Sequence, residues 1–326
     1  MKCLIRTDLG GIHGMGHASR CRALAQALAA RGADVRFLTR TLPLAAFVAP
    51  FAHETSLGAV DEQQLLAEAV ARWRPDALVL DHPSPNGEDV LSEIDARWCP
   101  VVRLDHPEAT PASCSRLIAP GAHWESATVE RLRADFGPRF LYGWEYVLLD
   151  DAVTSHPPIP YAARQDGLIV FCAGGSDPTG ALRRMVHWGA SLPINAPKIF
   201  LTGHYATDRP VVATVEPFER RWLRQAALVV TLLGQTAYEC LYWHVPTLCF
   251  ARTREDVPRL EVLSEASDGA LVPCGWFDHA TPAWFGGLVQ GYWERPAHRV
   301  IMAATSAGLL DGQGTARVAD AILELA

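Results

Sequence analysis

The chain has no surplus of positive charge: its formal net charge is -7 over 326 residues, and its arginines are scattered rather than clustered. That excludes the basic footprint that holds a nucleic-acid backbone. There is no CxxC pair among the eight cysteines, most of which sit within apolar runs. Buried, reduced thiols in a cytoplasmic protein are the expectation. No apolar run approaches the roughly 18 residues of a membrane span. Arg6 and Asp8 also interrupt the N-terminus before a signal-peptide core can form, so membrane contact is expected to be peripheral at most. What remains is 49% apolar and 20% charged, a globular composition. The length suits two domains of ordinary size or one large one.

Apolar, β-rich runs recur at 2–7 (KCLIRT), 34–39 (DVRFLT), 76–81 (DALVLD) and 100–105 (PVVRLD), with helix-period segments between them. This alternation predicts βαβ units and a parallel sheet. In 61–73, Leu65, Leu66, Ala69 and Val70 fall on one helical face, and Pro75 blocks continuation. The pattern lapses in the proline- and acid-rich stretch 148–167 and resumes at 168–182 (LIVFCAGGSDPTGAL), with further strands at 198–203, 227–233 and 246–251. Two Rossmann-like domains, 1–150 and 151–326, follow from this, with ligands beyond the carboxyl ends of the strands.

Each half opens with a strand, a glycine-rich loop and a helix. The first loop, DLGGIHGMG, places Gly14 and Gly16 just before His17 and Ser19. Glycine lets backbone approach a ligand, and free N–H groups at a helix start suit a phosphate. The spacing is neither G-x-G-x-x-G nor a P-loop, and a tight strand-to-helix turn is the alternative reading. A histidine at a helix start meets the positive end of the dipole, which favours the proton-accepting imidazole needed of a general base. A capping or packing histidine is the alternative. In 173–180 (AGGSDPTG), Gly174 and Gly175 permit close approach, Ser176 and Asp177 can cap, and Pro178 suits a first helical turn. A third loop leads from Gly234, Gln235 and Thr236 into a helix carrying Glu239, which can accept from a ribose hydroxyl or simply complement the dipole.

Taken in order, IRTD, GMGHASRCRALAQAL, AGGSDPTGA, GQTAYECLYWHVPTL and GLLDGQGTARVADAIL resemble the nucleotide-sugar hydrolases of the pseudaminic-acid pathway and their spore-coat polysaccharide relatives. These are related to the glycosyltransferases that make the peptidoglycan lipid intermediate. The resemblance implies a GT-B fold, two Rossmann-like parallel-sheet domains facing across a cleft. It also implies no metal and no cofactor beyond the UDP-sugar substrate, and a place in cell-surface glycan synthesis. No DxD motif and no His/Glu cluster at ligand spacing is seen in the sequence. His17 takes the place of the catalytic histidine, with Gly14, Gly16 and Arg20 around it. Gly174, Gly175 and Ser176 match the diphosphate loop, and Gly234, Gln235, Thr236 and Glu239 the nucleotide-binding helix start.

On the sugar side the chain departs from that pattern. It has Asp81, His82 and Pro83 with no tyrosine following, and 252–263 (RTREDVPRLEVL) where an Asn-Gln pair is usual. The DHP motif occurs at 81–83 and again at 105–107. Asp81, His82 and His106 are therefore candidates for substrate contact, plain loop residues being the alternative. The leading expectation is hydrolysis of a UDP-linked amino or deoxy sugar at its anomeric carbon, with His17 as general base. A metal-independent, inverting glycosyltransferase acting on a glycan or small-molecule acceptor is the runner-up, with Trp276, Trp284 and Trp293 available to stack on sugars or to fill the core. A non-catalytic nucleotide-sugar-binding subunit is the third reading. A nicotinamide dehydrogenase is disfavoured, since no acidic residue ends the second strand cleanly.

Overall fold

The computed structural model describes residues 1–9, 14–41, 43–56, 61–81, 99–106, 114–204, 206 and 215–325. A first sheet contains β1 (Lys2–Thr7), β2 (Asp34–Thr39), β3 (Ala52–Thr55), β4 (Ala77–Asp81), β5 (Val101–Leu104), β6 (Arg116–Pro120) and β7 (Phe140–Gly143), in the order β3-β2-β1-β4-β5-β6-β7. A second contains β8 (Leu168–Cys172), β9 (Lys198–Thr202), β10 (Val215–Pro217), β11 (Ala226–Leu232), β12 (Thr247–Ala251) and β13 (Leu271–Trp276), in the order β10-β9-β8-β11-β12-β13. Neighbouring strands pair in parallel, for example Cys3 with Val35 and Ala77, and Val229 with Val170 and Thr247. The central strands β4, β11 and β12 are buried along their whole length. Burial on both faces is why they read as near-continuous apolar runs.

The helices are α1 (Gly16–Ala30), α2 (Pro43–Val48), α3 (Glu62–Trp73), α4 (Ser126–Phe136), α5 (Asp151–Thr154), α6 (Ala181–Gly189), α7 (Arg220–Gln225), α8 (Gln235–Tyr242), α9 (Asp256–Ala266), α10 (Pro282–Trp293), α11 (Pro296–Ser306) and α12 (Gly314–Leu323). In α3 the buried residues are Leu65, Leu66, Ala69 and Val70, the expected stripe, and Arg74 ends the helix in a left-handed conformation just before Pro75. Both faces of each sheet carry core. In the first, Cys21, Leu24 and Leu28 of α1 pack on one face, and α3 with α4 on the other. In the second, Leu182 and Met185 of α6 pack with Phe285 and Val289 of α10, opposite Cys240 and Leu241 of α8 with Leu260 and Leu263 of α9.

The last helix breaks the sequential order. Val318, Ala319 and Ile322 of α12 enter the core made by Cys3, Ile5 and α1. Thr315 Oγ1 accepts from Leu149 N at 2.9 Å and donates to Leu149 O at 2.8 Å, tying α12 to the connection between the sheets. A Cβ on Gly314 would run into the backbone of Val147, so this close approach requires glycine. All eight cysteines are buried without disulfides. Among the described residues, no helix is long and apolar enough to cross a membrane.

Strand order reverses between β1 and β4 in the first sheet and between β8 and β11 in the second. A crevice opens at such a switch point, because the connections on either side leave in opposite directions.

Candidate catalytic cleft

A cavity of about 1070 Å³ lies where the two switch points face one another. From the first half, Gly14, Gly16, His17, Arg20 and His106 line it. From the second come Gly174, Gly175, Ser176, Gly234, Gln235, Thr236 and Glu239. The two glycine loops meet across the gap. Gly175 has no room for a side chain beside Met15, and a Cβ on Gly14 would lie 3.5 Å from Arg252 Nη1 and 3.6 Å from Ser176 Oγ. Gly14 and Gly174 have φ of 68° and 88°, conformations that favour glycine.

Helix α1 begins at Gly16, so His17 stands in its first turn, with no side chain capping the helix. Its Nδ1 lies 2.7 Å from Asp81 Oδ1. Arg20, one turn on, donates from Nε to Asp81 Oδ2 and from Nη2 to Asp81 Oδ1, both at 2.6 Å. Cys21 Sγ donates to Asp81 Oδ2 at 3.2 Å. Burial alone would raise the Asp81 carboxyl, but the Arg20 charge, the His17 contact and these hydrogen bonds outweigh it and hold the group well below the usual range. In the neutral imidazole, donation from Nδ1 to the ionised Asp81 leaves the Nε2 lone pair for the cleft.

Asp81 thus differs from the sequence expectation. It is fully buried and cannot touch a substrate; it acts on His17 and Arg20, which close over it. His82 lies outside the described residues. His106 stacks on His17 with ring centroids 5.6 Å apart at 18°, and burial pushes it down to about 3, so it stays neutral. Asp105 and His106 both adopt left-handed backbone, φ 61° and 54°, which turns the chain sharply at the end of β5. Such non-glycine conformations are uncommon and cluster at functional sites.

His17, Asp81 and His106 bring atoms of metal-ligand type within 4.8 Å of one another. The sequence shows no such cluster because the three are far apart in the chain, His17 in α1, Asp81 at the end of β4 and His106 after β5. The donor set suits a cation poorly: Arg20 already occupies both Asp81 oxygens, and its guanidinium would repel the ion.

In the second half, α8 starts after Gly234 without a side-chain cap, leaving its first N–H groups available to an anion. Helix α6 differs from expectation. It begins at Ala181 with Gly180 as N-cap, beyond Pro178, and of the two expected capping side chains it is Asp177 that accepts from the first turn, from Ala181 N at 2.8 Å and Leu182 N at 3.0 Å. Any phosphate contact here therefore falls to the loop Gly174–Ser176 rather than to the α6 terminus. Glu239 is buried, which raises its carboxyl, and it accepts from Arg220 Nε at 3.0 Å. Gln235 Nε2 donates to Leu148 O, anchoring α8 to the inter-sheet connection.

Of the residues that sequence reasoning passed over, Asp105, His123, Tyr238, Arg220, Arg252 and Arg259 line the cavity. Asp105 carried a signal, since it opens the second DHP just as Asp81 opens the first. The others have none outside tertiary structure. Trp276, Trp284 and Trp293 do not line the cavity. Trp276 bonds to Arg252 O, Trp284 packs edge-on against Phe250, and Trp293 lies beneath Arg299.

No protein-family model matches the chain, and no curated protein matches it in sequence. Solved structures do match its shape. A structure of the glycotransferase of kitacinnamycin has a TM-score of 0.67 and 14% identity, with 99% of this chain and 98% of that one covered. MurG of Acinetobacter baumannii gives 0.67 and 14%, covering 99% of both chains. UGT89C1 of Arabidopsis thaliana, complexed with UDP, gives 0.65 and 12%, again covering 99% of both. At such identities the likeness speaks to the fold alone: two Rossmann-like parallel-sheet domains facing across a cleft, the GT-B fold.

Proposed function

We propose that the protein transfers a glycosyl group from a nucleoside-diphosphate sugar, in our reading UDP-linked, to an acceptor hydroxyl, with His17 as general base. One observation carries this reading: an imidazole backed by a buried carboxylate opens into the cleft facing an uncapped helix start and a glycine loop. The acceptor oxygen gives its proton to His17 Nε2 and attacks the anomeric carbon. The bond from that carbon to the diphosphate breaks, the leaving oxygen keeps the electron pair, and a single displacement inverts the centre. Negative charge gathering on the diphosphate is met by the N–H groups of α8, the Gly174–Ser176 backbone and the guanidinium of Arg252. Glu239, held by Arg220, stands where a ribose hydroxyl would be accepted.

The sequence resemblance puts water first as acceptor. The fold likeness to a glycotransferase and to a UDP complex supports transfer better, and a cavity of about 1070 Å³ exceeds most single-ligand pockets, which run about 300–1,000 Å³. The test is nucleotide release from a panel of UDP-sugars, with and without an acceptor library, for wild type and His17→Ala. Acceptor-dependent release that is lost in His17→Ala is expected. Equal release in water alone would replace transfer with hydrolysis, and tight UDP binding without turnover under any acceptor would leave a binding subunit.

A further inference from the structure

A chain of contacts runs from the nucleotide side of the cleft to the base. Tyr238 lies on α8, between Thr236 and Glu239, and its hydroxyl reaches the first domain, 2.9 Å from His123 Nδ1. His123 Nε2 is 3.5 Å from Asp105 Oδ1, and Trp124 Nε1 donates to the same oxygen at 3.1 Å. Across the ring of Trp124, at 4.4 Å, lies the guanidinium of Arg259, from α9 of the second domain. The other Asp105 oxygen is 3.4 Å from Arg20 Nη1, and Arg20 grips Asp81, the partner of His17. Two side chains of the second domain thus converge, through adjacent residues of the first, on one carboxylate.

Local geometry is cut to fit this convergence. Gly121, with φ of 108°, lies under the Tyr238 hydroxyl, and a Cβ there would collide with it. Tyr238 is kept protonated by burial. With the His123 Nε2 proton directed at the carboxylate of Asp105, Nδ1 is the acceptor and the tyrosine the donor. Burial opposes ionisation of Asp105, but His123 and Arg20 hold its carboxyl well below the usual range.

We infer that Tyr238 and Arg259 are positioning residues that couple nucleotide occupancy of α8 to the orientation of His17, by way of His123, Trp124, Asp105, Arg20 and Asp81. The inference rests on the reading of α8 as the nucleotide site. Nucleotide seated on the α8 start draws that helix and α9 against His123 and Trp124. Asp105 is then fixed, the Arg20 fork is held on Asp81, and the imidazole is locked with Nε2 toward the place of the acceptor oxygen. An empty cleft leaves the same contacts free to part, and with them the geometry of the base. Such coupling needs an element with two discrete arrangements, and the proposal assigns that role to α8 and α9 where they pack against His123 and Trp124.

The experiment follows the imidazole resonances of 15N-histidine-labelled full-length protein, with His17 assigned by His17→Gln, as UDP alone is titrated. The variants are Tyr238→Phe, which removes only a hydroxyl, and Trp124→Phe, which keeps an aromatic ring near Arg259 while removing the indole N–H that Asp105 accepts, together with the five-membered ring that carries it. Wild type is expected to show a UDP-dependent shift at His17. Both variants should bind UDP within about twofold of wild type yet lose that shift, and with a donor and acceptor in hand should lose about tenfold in kcat at unchanged KM. A His17 shift that persists in both folded variants, or is absent from UDP-bound wild type, overturns the coupling and leaves the nucleotide site standing. Failure of wild type to bind UDP overturns both.

Discussion

Replacing Arg20 by methionine would leave Asp81, which has no exposed surface, without the fork that holds both of its oxygens. Breaking a buried ion pair from one side typically costs about 3–5 kcal/mol, because the other charge stays behind uncompensated. His17 and Cys21 still touch Asp81, so the lower part of that range, about 3 kcal/mol at pH 7, is the expectation. In wild type the Asp81 carboxyl is held below its ordinary value. Its stabilising contribution is therefore complete above the unfolded-state value of about 4 and is lost as pH falls through the native one. In Arg20→Met the sign reverses. Burial now dominates, the native carboxyl is raised, and the deficit relative to wild type shrinks as pH falls toward about 4. Urea denaturation at pH 7 and pH 5 measures this, with Arg20→Met/Asp81→Asn expected to recover most of the loss by removing the orphaned charge. A deficit under about 1 kcal/mol at pH 7, or no recovery in the double variant, would refute the account.

His106 offers a second pH handle. Burial pushes it from 6.5 to about 3, so between those values only the unfolded chain gains the proton and stability falls as pH drops, by at most about 1.4 kcal/mol per pH unit. His106→Gln should flatten that slope in denaturation curves collected across the window. Gly314→Ala forces a methyl against the Val147 backbone and should cost about 1–3 kcal/mol, with faster amide exchange in α12 as its local mark. Glu239→Gln removes the charge that Arg220 engages. If Glu239 accepts from the ribose, the calorimetric Kd for UDP should rise about tenfold, a loss of about 1.4 kcal/mol, whereas an unchanged Kd would make Glu239 a structural partner of Arg220 alone.

How much could be read in advance depended on whether a residue's role was local. β4, β11 and β12 are legible because strands buried on both faces read as near-continuous apolar runs. β3 (AHET) and β10 (VEP) have largely solvated faces at the sheet edges and leave no such run. The glycine loops and His17 were legible because a strand, a flexible turn and a helix start are contiguous in the chain. Asp81 is legible at the end of its strand but reads as facing the substrate, since the side chains that bury it, Arg20 and Cys21, come from α1, some sixty residues earlier in the chain.

By itself the sequence determined the two-sheet parallel architecture, the three glycine-bearing turns and the histidine set at the first of them. All of these follow from periodicity and backbone freedom within some twenty residues. Tertiary structure alone decided that α12 completes the first core, that Asp81 is sealed beneath Arg20, and that Tyr238 and Arg259 reach the network behind His17. Each of these joins residues far apart in the chain, and no local propensity records which distant side chains will share one carboxylate.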